Sequence, residues 1–137
     1  MRRALYPCMA GARRFQDLVC YQLARELRRV LGALIKAPKL SRDLELCDQL
    51  RRAARSATGN IAEGFSCTTH REFARYLDIS ARSLREIEDR LSEARDSELL
   101  TETEAALPLN LAKRTSVAVA RLTAYLRRTD VPPRQRD

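Results

Sequence analysis

Residues 73–94 read FARYLDISARSLREIEDRLSEA. Phe73, Leu77, Ser80, Leu84, Ile87, Leu91 and Ala94 recur in alternating steps of four and three over three heptads. That rhythm is the a/d seam of a bundle helix. The other faces are charged. Asp78–Arg82, Arg85–Asp89 and Glu86–Arg90 are spaced as i,i+4 pairs on a solvated surface. Thr69 reads as the cap of this third helix, with Glu72 completing a capping box.

Upstream, residues 51–65 read RRAARSATGNIAEGF. They form the second half of a helix running from about Ser41 to Glu63, with a stripe of Cys47, Leu50, Ala54, Ala57 and Ile61. Ala53, Ala54, Ser56, Ala57 and Gly59 keep the segment small, so another backbone can approach closely. Gly64 reads as the residue just past the helix end, where a left-handed conformation costs glycine nothing. Asn60 and Glu63 fall in the last turn. Glu63 opposes the helix dipole there, so a cationic or N–H partner is expected for it. Phe65 is expected to fold back on the bundle end.

A first helix is expected from about Asp17 to Lys36, capped by Asp17 and stopped before Pro38. Its stripe is Cys20, Ala24, Leu27, Leu31 and Leu34, widened by Leu23 and Val30. Gly32 weakens it by about 1 kcal/mol relative to alanine. A fourth helix is expected over Glu102–Leu126, with Thr101 and Glu104 as a second capping box. Its stripe is Ala105, Leu109, Ala112, Ser116, Val119 and Leu126. Pro108 should kink this helix or delay its start to about Leu107, because proline removes a hydrogen bond and crowds the preceding turn. No strand pattern occurs. Short loops join helices 2 to 3 and 3 to 4, which makes antiparallel neighbours. The fold class is therefore all-α, an antiparallel up-down-up-down four-helix bundle over 15–126. Residues 1–14 read as a disordered basic arm and 127–137 as a disordered tail.

At 137 residues the chain is one domain, long enough to form a core without disulfides or metal. The net charge of +8 suggests a polyanionic partner, so its location matters. Residues 1–14 contribute +4 and 127–137 contribute +2, leaving only +2 on the body. Of the 26 basic residues 23 are arginine, which suits bidentate phosphate contacts. The four cysteines, Cys8, Cys20, Cys47 and Cys67, form no CxxC. Cys20 and Cys47 lie on apolar faces and read as small hydrophobes in a reduced, cytoplasmic protein. No run approaches a membrane span.

Catalytic chemistry finds little support. His70 is the single histidine. Cys67-x-x-His70 has zinc-like spacing but lacks two further ligands nearby. Glu86, Glu88 and Asp89 carry arginines one turn away and read as a solvated face. No enzyme activity, cofactor or metal is expected. Basic stripes are the stronger signal. They comprise Arg25, Arg28 and Arg29 with Lys36 on helix 1, Arg51, Arg52 and Arg55 on helix 2, and Arg71, Arg75, Arg82 and Arg85 on helix 3. A solvated helix face explains each stripe on its own, with phosphate binding the lesser alternative for any one of them.

Several segments, taken in order, carry a family likeness. They are Phe15-x-Asp17-Leu18 with Gln22 and Ala24; Gln49-Leu50-Arg51-Arg52-Ala53-Ala54-x-Ser56; Asn60-Ile61-Ala62-Glu63-Gly64-Phe65; Glu72-Phe73-x-x-Tyr76-Leu77; and Ser83-Leu84-x-Glu86-x-Glu88. Over about Phe15–Leu126 the chain resembles the small bacterial four-helix bundle proteins encoded in intervening sequences of 23S ribosomal RNA genes. It departs where relatives usually have tryptophan at the position of Tyr21 and proline at that of Thr58. Asn60, Glu63, Gly64, Phe73 and Tyr76 are structural motif residues in this likeness. The resemblance implies a ring-shaped homopentamer, similar in fold to the accessory protein of diversity-generating retroelements. It implies binding of RNA or DNA through a basic surface, or alternatively an adaptor role for a neighbouring enzyme such as a reverse transcriptase. It implies no catalytic residues.

Overall fold

In the computed structural model, which describes residues 12–129, the chain is built from four α-helices. A 3-10 turn at Phe15–Asp17 leads into α1 (Val19–Leu34), and a second at Leu40–Arg42 leads into α2 (Leu44–Phe65). α3 spans His70–Asp96 and α4 spans Glu102–Arg128. The expectations for residues 1–11 and 130–137 lie outside the described residues. α4 continues to Arg128, past the Leu126 expected as its end.

Neighbouring helices run antiparallel, as cross-helix contacts show. Ser83 meets Ser56, Ser80 meets Ala57, and Phe73 meets Gly64, so α3 numbering falls as α2 numbering rises. Arg28 meets Thr58 and Ile35 meets Cys47 across α1 and α2. His70 at the start of α3 meets Thr129 at the end of α4. α4 also packs on α1, which closes the four-cornered bundle.

All seven seam positions of residues 73–94 are buried. So are the whole α2 stripe and Cys20, Ala24, Leu27 and Leu31 on α1. Leu34, the last of the α1 stripe, is half-buried, and the α4 stripe departs further. Leu109 and Ser116 are only half-buried, whereas Pro108, Leu111, Thr115, Leu122, Thr123 and Tyr125 are buried. Every helix of the bundle packs on two neighbours and so buries a wider arc than one seam: α2 adds Leu46 and Ala53, α3 adds Ala74 and Ser83, and on α4 the added residues outweigh the stripe.

The helix starts follow local chemistry. Asp43, not Ser41, begins α2: its Oδ1 accepts from the Leu46 N–H at 3.0 Å. Asp17 does not cap α1. It accepts from the backbone N–H groups of Arg13 and Arg14, which hold its carboxyl below the usual range. Leu18 then precedes α1 with no side-chain cap of its own. Thr69 Oγ1 accepts from Glu72 N–H at 3.2 Å, and Thr101 with Glu104 forms the full reciprocal box. That box helps explain Pro108. α4 begins at Glu102 and runs unbroken through Pro108, so the start is not delayed to Leu107. The cost of the missing Pro108 N–H is offset by the capped first turn and by burial of the ring.

Gly64 departs from its expected role. It lies inside α2, buried, and carries no left-handed φ. A Cβ there would sit 2.5 Å from Phe73 Cδ2 and 3.0 Å from Tyr76 Cβ. The glycine is there for close helix approach. The left-handed turn falls at Glu98 instead (φ 59°), between α3 and α4, where Glu98 N and Leu99 N close back on Arg95 O and Ala94 O.

Candidate nucleic-acid interface

α1 and α2 pack side by side and leave a groove of about 510 Å³ between their outer faces. Its floor is apolar: Leu31 and Ala54 are buried, Ile35 is half-buried, and Gly32 contributes no side chain. Its rim is cationic, formed by Arg28 and Lys36 of the first helical hairpin arm and Arg51 and Arg55 of the second. Among the described residues no carboxylate lines it. The sequence accounts for this, because no Asp or Glu occurs between Glu26 and Asp43 or between Asp48 and Glu63.

The ten arginines singled out in the sequence are thus sorted by the fold. Arg28, Arg51 and Arg55 come together on the groove. Arg28 is anchored there: its Nη1 donates to Thr58 Oγ1 at 3.1 Å. Thr58 is itself fixed by bonds to the carbonyls of Ala54 and Arg55. Arg25 and Arg29 lie on the adjoining ledge of α1, with Gln22 and Glu26. Arg29 is bound to Glu26, and that hydrogen bond holds the Glu26 carboxyl below its usual range while raising the guanidinium. Arg52 points away, paired with Asp48 at 3.0 Å.

Arg71 and Arg75 line a separate depression with Ala74 and Arg127. Arg82 and Arg85 are exposed on α3 and form no ion pair among the described residues. The three i,i+4 pairs expected on α3 are not the ones formed. Asp78 binds Arg127 of α4, and Arg90 binds Asp89 and Glu93. Cross-helix reach competes with same-helix spacing, and exposed pairs are worth only about 0–1 kcal/mol either way.

Of the motif residues, Asn60 and Gly64 of α2 and Phe73 and Tyr76 of α3 lie at the contact between these two helices. Asn60 Nδ2 donates to the Ser56 carbonyl (2.8 Å) and to Ser56 Oγ (3.2 Å). Ser83 Oγ donates to Ser56 Oγ at 2.7 Å, and Ser80 Oγ to the Ala57 carbonyl at 2.8 Å. Phe73 stands edge-on to Phe65, with centroids 6.2 Å apart. The Ser83, Ser80 and Phe73 contacts join α2 to α3, and none of these residues lines the α1–α2 groove. The Glu63 carboxylate lacks the expected partner: it is exposed and meets no cation or N–H among the described residues.

His70 and Cys67 do not converge on a ligand. His70 Nδ1 lies 2.8 Å from Thr129 Oγ1, and its ring is 5.9 Å from that of Tyr125. Burial pushes the Cys47 thiol up, and Cys47 donates to the Leu40 carbonyl at 3.2 Å. Such a thiol behaves as a packed hydrophobe. Among the described residues no helix is long and apolar enough to cross a membrane.

Lys36 and Gly32, which line the groove, and Thr58, which holds Arg28 beside it, were not singled out as site residues in the sequence. Only Lys36 had a signal, as the last cation of the helix 1 cluster. Thr58 lies 30 residues from Arg28, and no local spacing announces that bond.

No curated protein matches the chain. A family model does, over residues 16–121, from the first 3-10 turn to near the end of α4. That match, across most of the antiparallel bundle, places the chain in the family of 23S rRNA-intervening sequence proteins.

Proposed function

We propose that this chain is a non-enzymatic, homo-oligomeric bundle that binds nucleic acid through its arginine-rich surface, chiefly the α1–α2 groove. One observation carries the reading. Arg28, Lys36, Arg51 and Arg55 converge on one groove with no carboxylate among them. Four like charges held together repel one another, and a polyanion relieves that repulsion while releasing its own counterions. Assembly into a ring, as the family likeness implies, would repeat the groove around one particle and raise avidity for a long polyanion.

A filter-binding titration against structured RNA at several salt concentrations tests the reading. The expected slope of log K against log salt is about −3 to −4 for each engaged groove, from roughly 0.7–0.9 per neutralised phosphate. Absence of binding at low salt, or binding with no salt slope, overturns it. The assembly has a separate test. Light scattering should return several times the 15.6 kDa chain mass, and a monomer refutes the ring.

A further inference from the structure

The groove contains more than a phosphate needs. A phosphate requires only the cationic rim, yet the floor is apolar, formed by Leu31, Ile35 and Ala54. The slot above it is open at Gly32, where an added Cβ would meet nothing within 4 Å. A duplex offers phosphates but keeps its base faces stacked inside. An unpaired nucleotide offers both an anionic phosphodiester and a flat, weakly hydrated base. Folded RNA presents such nucleotides in its loops, and those are the positions that proteins commonly read. A groove of about 510 Å³ falls within the range that encloses small organic ligands.

We infer that the α1–α2 groove seats an unpaired nucleotide of an RNA loop, its base on the apolar floor and its flanking phosphates on the cationic rim. This rests on the nucleic-acid reading above and specifies its ligand. Gly32 is the residue that leaves room for the base. Arg28, fixed by Thr58, is held at the mouth of the slot without having to be ordered on binding. Arg51 and Arg55, one turn apart on α2, hold phosphates on the opposite lip.

The test compares two RNAs of equal charge, a hairpin with an unpaired loop and a blunt duplex of the same length. The wild-type protein should prefer the hairpin by about tenfold, and that preference should persist as salt is raised, because burial on an apolar floor is not screened. Gly32→Leu fills the slot without changing charge. It should abolish the preference, while a helical circular dichroism spectrum and a cooperative thermal transition like those of the wild type show that the variant is folded. Equal wild-type affinity for both RNAs overturns the inference while the nucleic-acid reading stands. A preference that survives in Gly32→Leu also overturns it. If wild-type protein binds neither RNA, the broader reading fails first.

Discussion

Replacing Gly64 by alanine should lower the stability of the bundle by about 2–3 kcal/mol, whereas the same change at Gly59 should raise it by up to about 1 kcal/mol. Both glycines lie in α2, only five residues apart. At Gly59, which is exposed, a methyl group meets nothing within 4 Å, so alanine adds only its helix propensity. At Gly64 the methyl would lie 2.5 Å from the Phe73 ring and 3.0 Å from Tyr76 Cβ. Turning the ring aside would give up its edge-to-face contact with Phe65. Tyr76 Cβ is nearly backbone, so relief requires α3 to move away from α2. That movement would stretch the nearby Ser80–Ala57 and Ser83–Ser56 hydrogen bonds. Urea unfolding of the two single variants measures the sign reversal. A double variant, Gly64→Ala with Phe73→Leu, should be less destabilised than the sum of its parts by about 1 kcal/mol, because the two side chains compete for one space. Two glycines that change stability in the same direction would refute the close-approach account.

Gly64 also shows where sequence reading reached its limit. Its position after a helical stripe suggested a stop, and stop glycines are common. The deciding fact was the ring of Phe73, nine residues on and in another helix. By contrast, the seam from Phe73 to Ala94 was legible because periodicity is local and repeats over three heptads. The α4 stripe was read less well. A helix facing two neighbours buries side chains between the two seams, and the single-stripe template misses Leu111, Thr115 and Leu122. Of the two outcomes expected at Pro108, the delayed start does not occur, for a related reason. Its propensity cost is local, but the compensation from the Thr101–Glu104 box and from core burial comes from elsewhere.

The groove was legible in pieces. Composition exposed the arginine clusters on the first two helices, and the absence of acids around them was equally visible. Which clusters face each other depends on how α1 turns onto α2 through Leu40–Arg42, and no spacing rule encodes that. Nor could the sequence separate engaged arginines from unengaged ones. Arg29 and Arg52 are met by Glu26 and Asp48, whereas Arg51 and Arg55 have no ion-pair partner among the described residues.

That distinction yields the largest expected effect on binding. Changing Arg28, Arg51 and Arg55 together to glutamine should weaken structured-RNA binding about 100-fold or more at moderate salt. It should also flatten the salt slope by about 2 to 3, near one unit for each phosphate no longer neutralised. The fold should tolerate the change, since all three side chains are exposed and their mutual repulsion is relieved. Thr58 keeps its bonds to the α2 backbone after Arg28 is gone. Two controls make the result specific. Arg29→Gln with Arg52→Gln removes cations already answered by carboxylates, and each change frees an acid, so any weakening should come with a smaller change in slope per charge removed. Arg82→Gln with Arg85→Gln removes cations with no ion pair from α3, away from the groove. If α3 neutralisation matches the groove variant charge for charge, binding is a property of total charge and not of the α1–α2 groove. If only the groove variant flattens the slope, the phosphates sit where Arg28, Arg51 and Arg55 converge.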